Sequence, residues 1–219
     1  MIQTTVTFSQ FVQALEETLT MVSVSLLLGI LIGLPLGILL VITRPGGVIE
    51  NKWIFGILNP VINVIRSLPF IILLVAIIPF TRFIVHTSIG TPAAIVPLIV
   101  FISPYIARLV ENSLLEVNEG ILEAANAMGA APFQVIRHFL LPEAFGSLIL
   151  SFTTATIGLI GATAMAGAVG GGGIGDLAIT FGYQQFDTFV MVVTVVILII
   201  FVQLIQSIGN FCARRVRRH

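Results

Sequence analysis

The run from Thr18 to Thr43 contains no charged side chain, and this feature constrains the fold most. A helix of about 20 residues crosses the roughly 30 Å hydrocarbon core of a bilayer. Four further apolar stretches follow. Prolines interrupt the second and third of the five. Five spans are therefore expected, at about 18–42, 59–80, 89–110, 145–169 and 188–212. Only 9% of the residues are charged and the mean hydropathy is +1.12. A soluble domain has about a quarter charged residues, so the sequence predicts an all-α membrane protein.

The distribution of basic side chains predicts how the chain is oriented. The ten basic and ten acidic residues cancel, so the net charge gives no information about partners. With the N-terminus outside, only Arg82 faces outward, and the other basic residues lie on the cytoplasmic side, where they are enriched in membrane proteins. These are Arg44, Lys52, Arg66, Arg108, Arg137, Arg214, Arg215, Arg217 and Arg218. The basic tail at 211–219 is thus expected in the cytoplasm, where attraction to anionic lipid explains it better than nucleic-acid binding.

The connection between the third and fourth spans, residues 114–142, has an unusual density of polar side chains. Its first part predicts one helix, because apolar residues recur at helical spacing on one face. They are Leu114, Val117, Ile121, Ala125 and Met128. Gly129 suits a left-handed helix end, and Pro132 suits the first turn of a second helix. The polar face is acidic, which favours docking into a partner protein over binding to lipid. Packing against the chain's own bundle is the equal alternative.

The expected spans contain no group that could couple transport to an ion. A secondary transporter needs ionisable groups at membrane depth, and no Asp, Glu or Lys lies well inside a predicted span. Arg108 and Glu111, near a cytoplasmic end, are expected to form a structural ion pair. The sequence has no GxxxxGK[ST] motif, its three histidines lack metal-ligand spacing, and its GxGxxG match at 170–175 lacks a βαβ unit. If the chain carries a solute across the membrane, the energy must therefore come from outside the chain.

The fourth span is rich in glycine and alanine, which allow helices to approach each other closely. This predicts a helix–helix seam, such as a dimer axis. Met165 is the one long side chain in the small-residue end of this span. Two interpretations stay open. Met165 either narrows a pathway together with its twin in a second subunit, or fills a gap in the core.

An EAA-like signature lies in the cytoplasmic connection. Glu123-Ala124-Ala125 is followed after three residues by Gly129, and after nine more by Phe139-x-Leu141-Pro142. This resembles the signature of ABC-importer permeases, with Phe139 where isoleucine is usual. Further stretches are similar to the methionine-importer permeases: GLPLGILLVITRPG (33–46), RSLPFIILL (66–74), IPFTR (78–82), TSIGTPAAIVPL (87–98), ARLVENSLLEV (107–117) and AMAGAVGGGGIG (164–175). The resemblance covers nearly the whole chain.

The resemblance implies a homodimeric ABC-importer permease of type I fold, with five spans per chain in one domain at 14–210. The expected partners are a second copy of the chain, two ABC ATPase subunits, an extracytoplasmic methionine-binding lipoprotein and the lipid bilayer, with no nucleic acid. ATP and Mg²⁺ would be held and ATP hydrolysed by the ATPase, so this chain would need no cofactor and would not be an enzyme. The expected location is the bacterial inner membrane, as a multi-pass protein.

The resemblance also implies which residues act. Those expected to couple to the ATPase are Glu123, Ala124, Ala125, Gly129, Ala130, Pro132 and Phe133. Met165 is the expected pathway residue. The chain would form the translocation pathway for methionine, driven by ATP. A permease for another amino acid, an ion-coupled secondary transporter and a non-transporting anchor for an ATPase are the alternatives.

Overall fold

The computed structural model describes residues 6–216, without the side chain of Asn126, and every regular element in that part is a helix. The helices are α1 (Phe8–Thr43), α2 (Lys52–Ser67), α3 (Phe70–Ala76), α4 (Ile78–Val85), α5 (Thr91–Leu115), α6 (Glu119–Ala127), α7 (Pro132–Gln134), α8 (Leu141–Gly167), α9 (Gly173–Leu177) and α10 (Thr188–Val216). A π-helical turn at Val135–Leu140 joins α7 to α8, and a second at Ala178–Gln184 extends α9.

Four helical segments of the described part are long and apolar enough to cross a membrane. They are Phe8–Thr43, Thr91–Leu115, Pro132–Gly167 and Thr188–Val216. The pair α2 and α3 adds a fifth crossing if it is counted as one broken span, because its two helices are bent by 103°. The predicted class, an all-α membrane protein, is therefore confirmed.

The second span departs from the continuous helix expected at 59–80. Leu68 is extended (φ −79°, ψ 128°) and Pro69 follows it. The helical region is sterically disfavoured for the residue before a proline, and proline has no N–H to continue the helical hydrogen bonds. The chain turns sharply at this point, and α3 and α4 follow as short helices.

Both terminal spans extend beyond their expected bounds. The first helix begins at Phe8, because the backbone N–H of Thr7 donates a 2.7 Å hydrogen bond to Gln10 Oε1, one half of a capping box. This earlier start brings Glu17 into α1 instead of leaving it before the span. At the other end, α10 continues to Val216, so the first residues of the expected tail at 211–219 are helical. Residues 217–219 lie outside the described part.

The core is built around α5, against which α1 packs through three glycines at helical spacing: Gly29, Gly33 and Gly37. A Cβ on Gly33 would lie 2.6 Å from the carbonyl oxygen of Ser103, and one on Gly37 would lie 2.6 Å from that of Ala107. Small residues at this spacing let two membrane helices approach backbone to backbone. Ile102, Ile106 and Val110 of α5 are fully buried as a result.

Helix α10 lies at the periphery of the bundle. It packs against α8 at Gly209, where a Cβ would lie 2.0 Å from Thr153 Oγ1. The most apolar 18-residue window of α10 is only 11% buried, whereas that of α5 is 61% buried. An apolar helix with so little protein around it must be covered by lipid or by another chain.

Candidate functional site

The short helix α6 presents one face to the outside of the protein. Besides Glu119 at its start, the exposed residues of α6 and of the position that follows it have the spacing i, i+3, i+4, i+7, i+8. They are Gly120, Glu123, Ala124, Ala127 and Met128. Its opposite face holds Ala125, fully buried, and Ile121 and Leu122, which pack against the main hydrophobic cluster. The helix is therefore fixed on the bundle by one face and leaves the other free.

The single helix expected from Leu114 to Met128 is wrong, because the chain breaks between α5 and α6. Asn118 starts the new helix: its side-chain oxygen accepts a 2.8 Å hydrogen bond from the N–H of Gly120, as asparagine commonly does at a helix start. Leu114 and Val117 stay on the buried side, but Met128 is 68% exposed. Ile121 and Ala125 of the predicted apolar face still pack inward, whereas Met128 lies beyond Ala127, the last residue of α6.

Gly129 ends α6 in the predicted left-handed conformation, with φ +71°. The N–H of Ala130 donates to the carbonyl of Ala125 at 3.1 Å, the hydrogen bond that defines a Schellman helix end. A Cβ on Gly129 would meet no atom within 4 Å. The requirement for glycine is therefore one of backbone conformation and not of space.

The second helix of the hairpin begins at Pro132, as predicted. The N–H of Ala131 donates a 2.9 Å hydrogen bond to Gln134 Oε1, which fixes the entry into α7. Phe133 follows with 66% of its surface exposed, close in sequence to the exposed Met128. Large apolar side chains exposed close together on a polar hairpin are unusual unless a partner covers them.

The residues that the sequence singled out for coupling divide into two groups. Glu123, Ala124, Gly129, Pro132 and Phe133 are exposed and form, with Met128, what we call the hairpin surface. Ala125 is fully buried and Ala130 packs against the main cluster. These two alanines hold the hairpin in place, and Ala125 has no surface left for another chain, whereas Ala130 is half-buried. The sequence analysis placed Met128 on the apolar face of the helix and did not include it among the coupling residues.

Met165 lies on an open face of α8. It is 51% exposed, and residues at helical spacing toward the other end of the helix are exposed with it: Thr154, Gly158 and Gly161. A Cβ on Gly158 or Gly161 would meet nothing within 4 Å in this chain. Met165 therefore fills no gap in the protomer's own core, and the small residues beside it leave this face open to a second helix.

The glycine-rich connection after α8 turns the chain back on itself. Gly170, Gly172 and Gly173 have positive φ values between 80° and 83°, which glycine adopts without strain. Helix α9 then packs on the end of α8 so closely that a Cβ on Gly175 would lie 2.4 Å from the Cα of Ala164. The loop and α9 border an open cavity of about 300 Å³ that Glu17 and Asp176 also line.

Two polar residues of α1, which the sequence analysis did not single out, hold the start of α9. Glu17 Oε2 accepts a 2.8 Å hydrogen bond from the N–H of Gly173, and Thr18 Oγ1 accepts a 2.9 Å hydrogen bond from the N–H of Ile174. The first N–H groups of a helix have no partner within the helix. Here another helix supplies the acceptors.

A buried polar network joins α2 to α5. The predicted ion pair between Arg108 and Glu111 is present, and both side chains are largely buried. Arg108 also donates hydrogen bonds of 2.7 Å to Asn59 Oδ1 and Asn63 Oδ1. The arrangement satisfies the charge of a buried carboxylate and ties the two helices together. Within the described residues, no group of three His, Cys, Asp or Glu side chains could hold a metal ion.

Comparison with known proteins identifies the family. Residues 29–218 match the family described as binding-protein-dependent transport system inner membrane component. The chain belongs to this family. It is 50% identical, over 91% of its length and 89% of the relative's, to the probable D-methionine transport system permease protein MetI of Vibrio cholerae. It is 53% identical to the D-methionine transport system permease protein MetI of Escherichia coli K12, over 71% of this chain and 72% of that protein.

Solved structures of the family have the same fold. A structure titled as an inward-facing conformation of the MetNI methionine ABC transporter matches with a TM-score of 0.93 and 49% identity, over 95% of this chain and 97% of that one. An amino acid ABC transporter crystallised with histidines matches with a TM-score of 0.78 at 19% identity, which shows the fold alone. The chain is thus a multi-pass ABC-transporter permease, as its EAA-like spacing predicted.

Proposed function

We propose that the chain is the permease subunit of an ATP-driven methionine importer and that its hairpin surface couples it to a separate ATPase. The observation that carries the coupling role is the exposed face of α6, which ends at Gly129 and continues to Phe133 with the EAA spacing. The names and 43–56% identities of the relatives support methionine as the substrate.

The hairpin surface suits insertion into a cleft of another protein. Met128 and Phe133 are the large apolar side chains on it, with 68% and 66% of their surface exposed. A few such side chains dominate the affinity of most protein interfaces. Glu123 adds one carboxylate beside them, which a basic group on the ATPase would complement. Two ATPase subunits, one for each copy of the chain, would hold ATP and Mg²⁺. Their ATP-driven conformational change would move the hairpins.

The open face of α8 suits a seam with a second copy of the chain. Gly158 and Gly161 leave room for a partner helix, and Met165 would narrow the pathway together with its twin. A cysteine at position 165 is expected to crosslink to its twin when the pathway is shut, and less when ATP is trapped. Intact protein that gives no crosslink in either state would contradict the pathway role.

We further propose that one permease domain covers 14–210, with its N-terminus outside and its C-terminus in the cytoplasm. The positive-inside distribution supports this orientation. Cysteines at the exposed positions Ser9 and Ala131 test it. A membrane-impermeant reagent added to whole cells should label the first and not the second. The outer side would then receive substrate from an extracytoplasmic lipoprotein.

The decisive experiment reconstitutes the chain with its ATPase and binding lipoprotein in liposomes. Vanadate-sensitive uptake of labelled methionine, competed by unlabelled methionine but not by other amino acids, is expected. Uptake driven by an ion gradient without ATP would indicate a secondary transporter, and competition by another amino acid would change the substrate. Gly129→Asp tests the coupling in the same system. It should abolish ATPase copurification and uptake together, because a left-handed backbone disfavours a Cβ and a buried charge costs several kcal/mol unless paired.

A further inference from the structure

We propose that Glu17 and Thr18 are positioning residues for transport: they anchor α9 and, through it, the end of α8 that carries Met165. This inference rests on the proposed function of the chain as a permease. It concerns the opposite end of the molecule from the hairpin surface.

The anchor consists of two adjacent acceptors that meet two adjacent donors. The Glu17 carboxylate and the Thr18 hydroxyl accept hydrogen bonds from the first N–H groups of α9, those of Gly173 and Ile174. Thr18 is 2% exposed and Ile174 is 1% exposed, so water cannot replace the bond between them. The bond from Gly173 to Glu17 is partly buried, beside the open cavity. The carboxylate is also held from its own helix, because Gln13 Nε2 donates to Glu17 Oε1 at 2.9 Å.

The glycines opposite the anchor have no room for a side chain. A Cβ on Gly172 would lie 2.6 Å from Glu17 Oε2, and a Cβ on Gly173 would lie 2.6 Å from Thr18 Oγ1. Both glycines also have positive φ values. The loop backbone therefore approaches α1 as closely as the two acceptors require, and both its conformation and its close approach call for glycine.

The anchored segment is continuous with the face that carries Met165. A Cβ on Gly167 would lie 2.3 Å from the backbone nitrogen of Asp176, so the last turn of α8 and the first turn of α9 are in backbone contact. The carbonyl of Gly170, midway along the loop, accepts a 2.8 Å hydrogen bond from the N–H of Gly90. Displacing the start of α9 would therefore displace the end of α8.

A positioning role differs from a purely structural one in what its loss affects. Residues outside the anchor, including the buried contacts of α1 with α5, are untouched by a change at Glu17. The complex should therefore assemble and hydrolyse ATP without the anchor. It should fail to convert hydrolysis into uptake, because the open face of α8 is no longer held in place when the ATPase moves the hairpin.

The test compares Glu17→Ala, Glu17→Gln and Thr18→Val in the purified full complex with ATPase and binding protein. Glutamine keeps an oxygen acceptor, whereas alanine and valine remove one. We expect methionine uptake per ATP hydrolysed to fall about tenfold in Thr18→Val, the size expected for a lost buried hydrogen bond, and several-fold in Glu17→Ala, whose bond is partly buried. Glu17→Gln should restore most of it.

Two matched controls lie on the exposed side of the same turn of α1. Glu16→Ala removes the neighbouring carboxylate, and Thr20→Val removes a hydroxyl that bonds only to the carbonyl of Glu16. Both should transport normally. Equal uptake per ATP in Glu17→Ala and Glu16→Ala would overturn the proposal, as would a Glu17→Gln variant no better than Glu17→Ala.

Amide hydrogen exchange of the peptide at 170–180 provides a readout that needs no substrate. Protection of this peptide should drop in Glu17→Ala and Thr18→Val and persist in Glu17→Gln and both controls. Unchanged protection in the first two variants would refute the anchor. If the wild-type complex imported no methionine, the proposed substrate would fail, and the exchange data would still decide whether the anchor exists.

Discussion

Replacing Arg108 by alanine should destabilise the permease more than any other single change among its exposed or half-buried charges. The guanidinium pairs with Glu111, which is 6% exposed, and donates to Asn59 and Asn63 at 2.7 Å. The substitution leaves a buried carboxylate without its cation. It also removes the donors that join α2 to α5.

The magnitude follows from what each change leaves behind. Removing one partner of a buried ion pair costs about 3–5 kcal/mol, because the remaining charge is uncompensated. Replacing both charges with apolar groups of similar size is often neutral. A single polar contact between membrane helices contributes only about 0.6 kcal/mol on average, so Asn59→Ala should be mild. Arg108→Ala should therefore be much worse than the double variant Arg108→Met with Glu111→Met.

Thermal stability of the detergent-solubilised permease, followed by size-exclusion chromatography after heating, measures this order. Arg66→Ala is the matched control, because Arg66 contacts only the ring of Tyr105 at 5.9 Å among the contacts described for it. A cation over an aromatic ring contributes about 0.5–1 kcal/mol at an exposed site. Equal melting temperatures for Arg108→Ala and Arg66→Ala would refute the reasoning about the unpaired carboxylate of Glu111. So would a double variant that is as unstable as Arg108→Ala.

Three further substitutions test other parts of the structure. Gly33→Leu should abolish folded protein, because its Cβ would lie 2.6 Å from the backbone oxygen of Ser103, whereas Gly56→Leu, with nothing within 4 Å, should be tolerated; yield after size-exclusion chromatography measures both. Phe133→Ala should leave stability unchanged and reduce ATPase copurification several-fold, since its ring is 66% exposed; copurification equal to wild type would contradict the hairpin surface. Gly129→Ala should lower uptake more than Gly129→Asn, because asparagine tolerates a left-handed conformation better than alanine; the opposite order would exclude a backbone effect.

Sequence analysis succeeded where the determining interaction is local. The charge-free run in α1 predicts a span because hydrophobicity is a property of the residues themselves, whatever packs around them. Gly129 was predicted in a left-handed conformation because the end of a helix followed by proline calls for it. Pro69 also acts locally, but the sequence did not distinguish it as a break, because Pro35, Pro60 and Pro97 also lie in apolar stretches and are accommodated inside helices.

The features that sequence analysis missed depend on distant contacts. Glu17 meets Gly173 across 156 positions, and Arg108 meets Asn59 across 49. No periodicity or spacing within one element reveals such a pair. The direction of Met128 failed for a different reason. Ile121 and Ala125 of the same predicted face pack inward, but α6 ends at Ala127, so the helical spacing does not extend to Met128.

The end of the hairpin surface, at Pro132 and Phe133, and the open face of α8 lie on one nearly continuous helical segment, Pro132–Gly167, of 36 residues. At 1.5 Å per residue this segment is about 54 Å long, with Phe133 at one end and Met165 at the other. Its only irregular part is the π turn at Val135–Leu140, where Pro142 cannot donate to the preceding turn and the N–H of Leu141 bonds to Ile136 five residues back. A displacement of the hairpin can therefore be transmitted along a single helix to the open face of α8. Bending is expected at the π turn, while the anchor at Glu17 and Thr18 restrains the far end. A lever of this kind needs both a moving end and a held end, which is why losing the anchor should uncouple transport without preventing assembly.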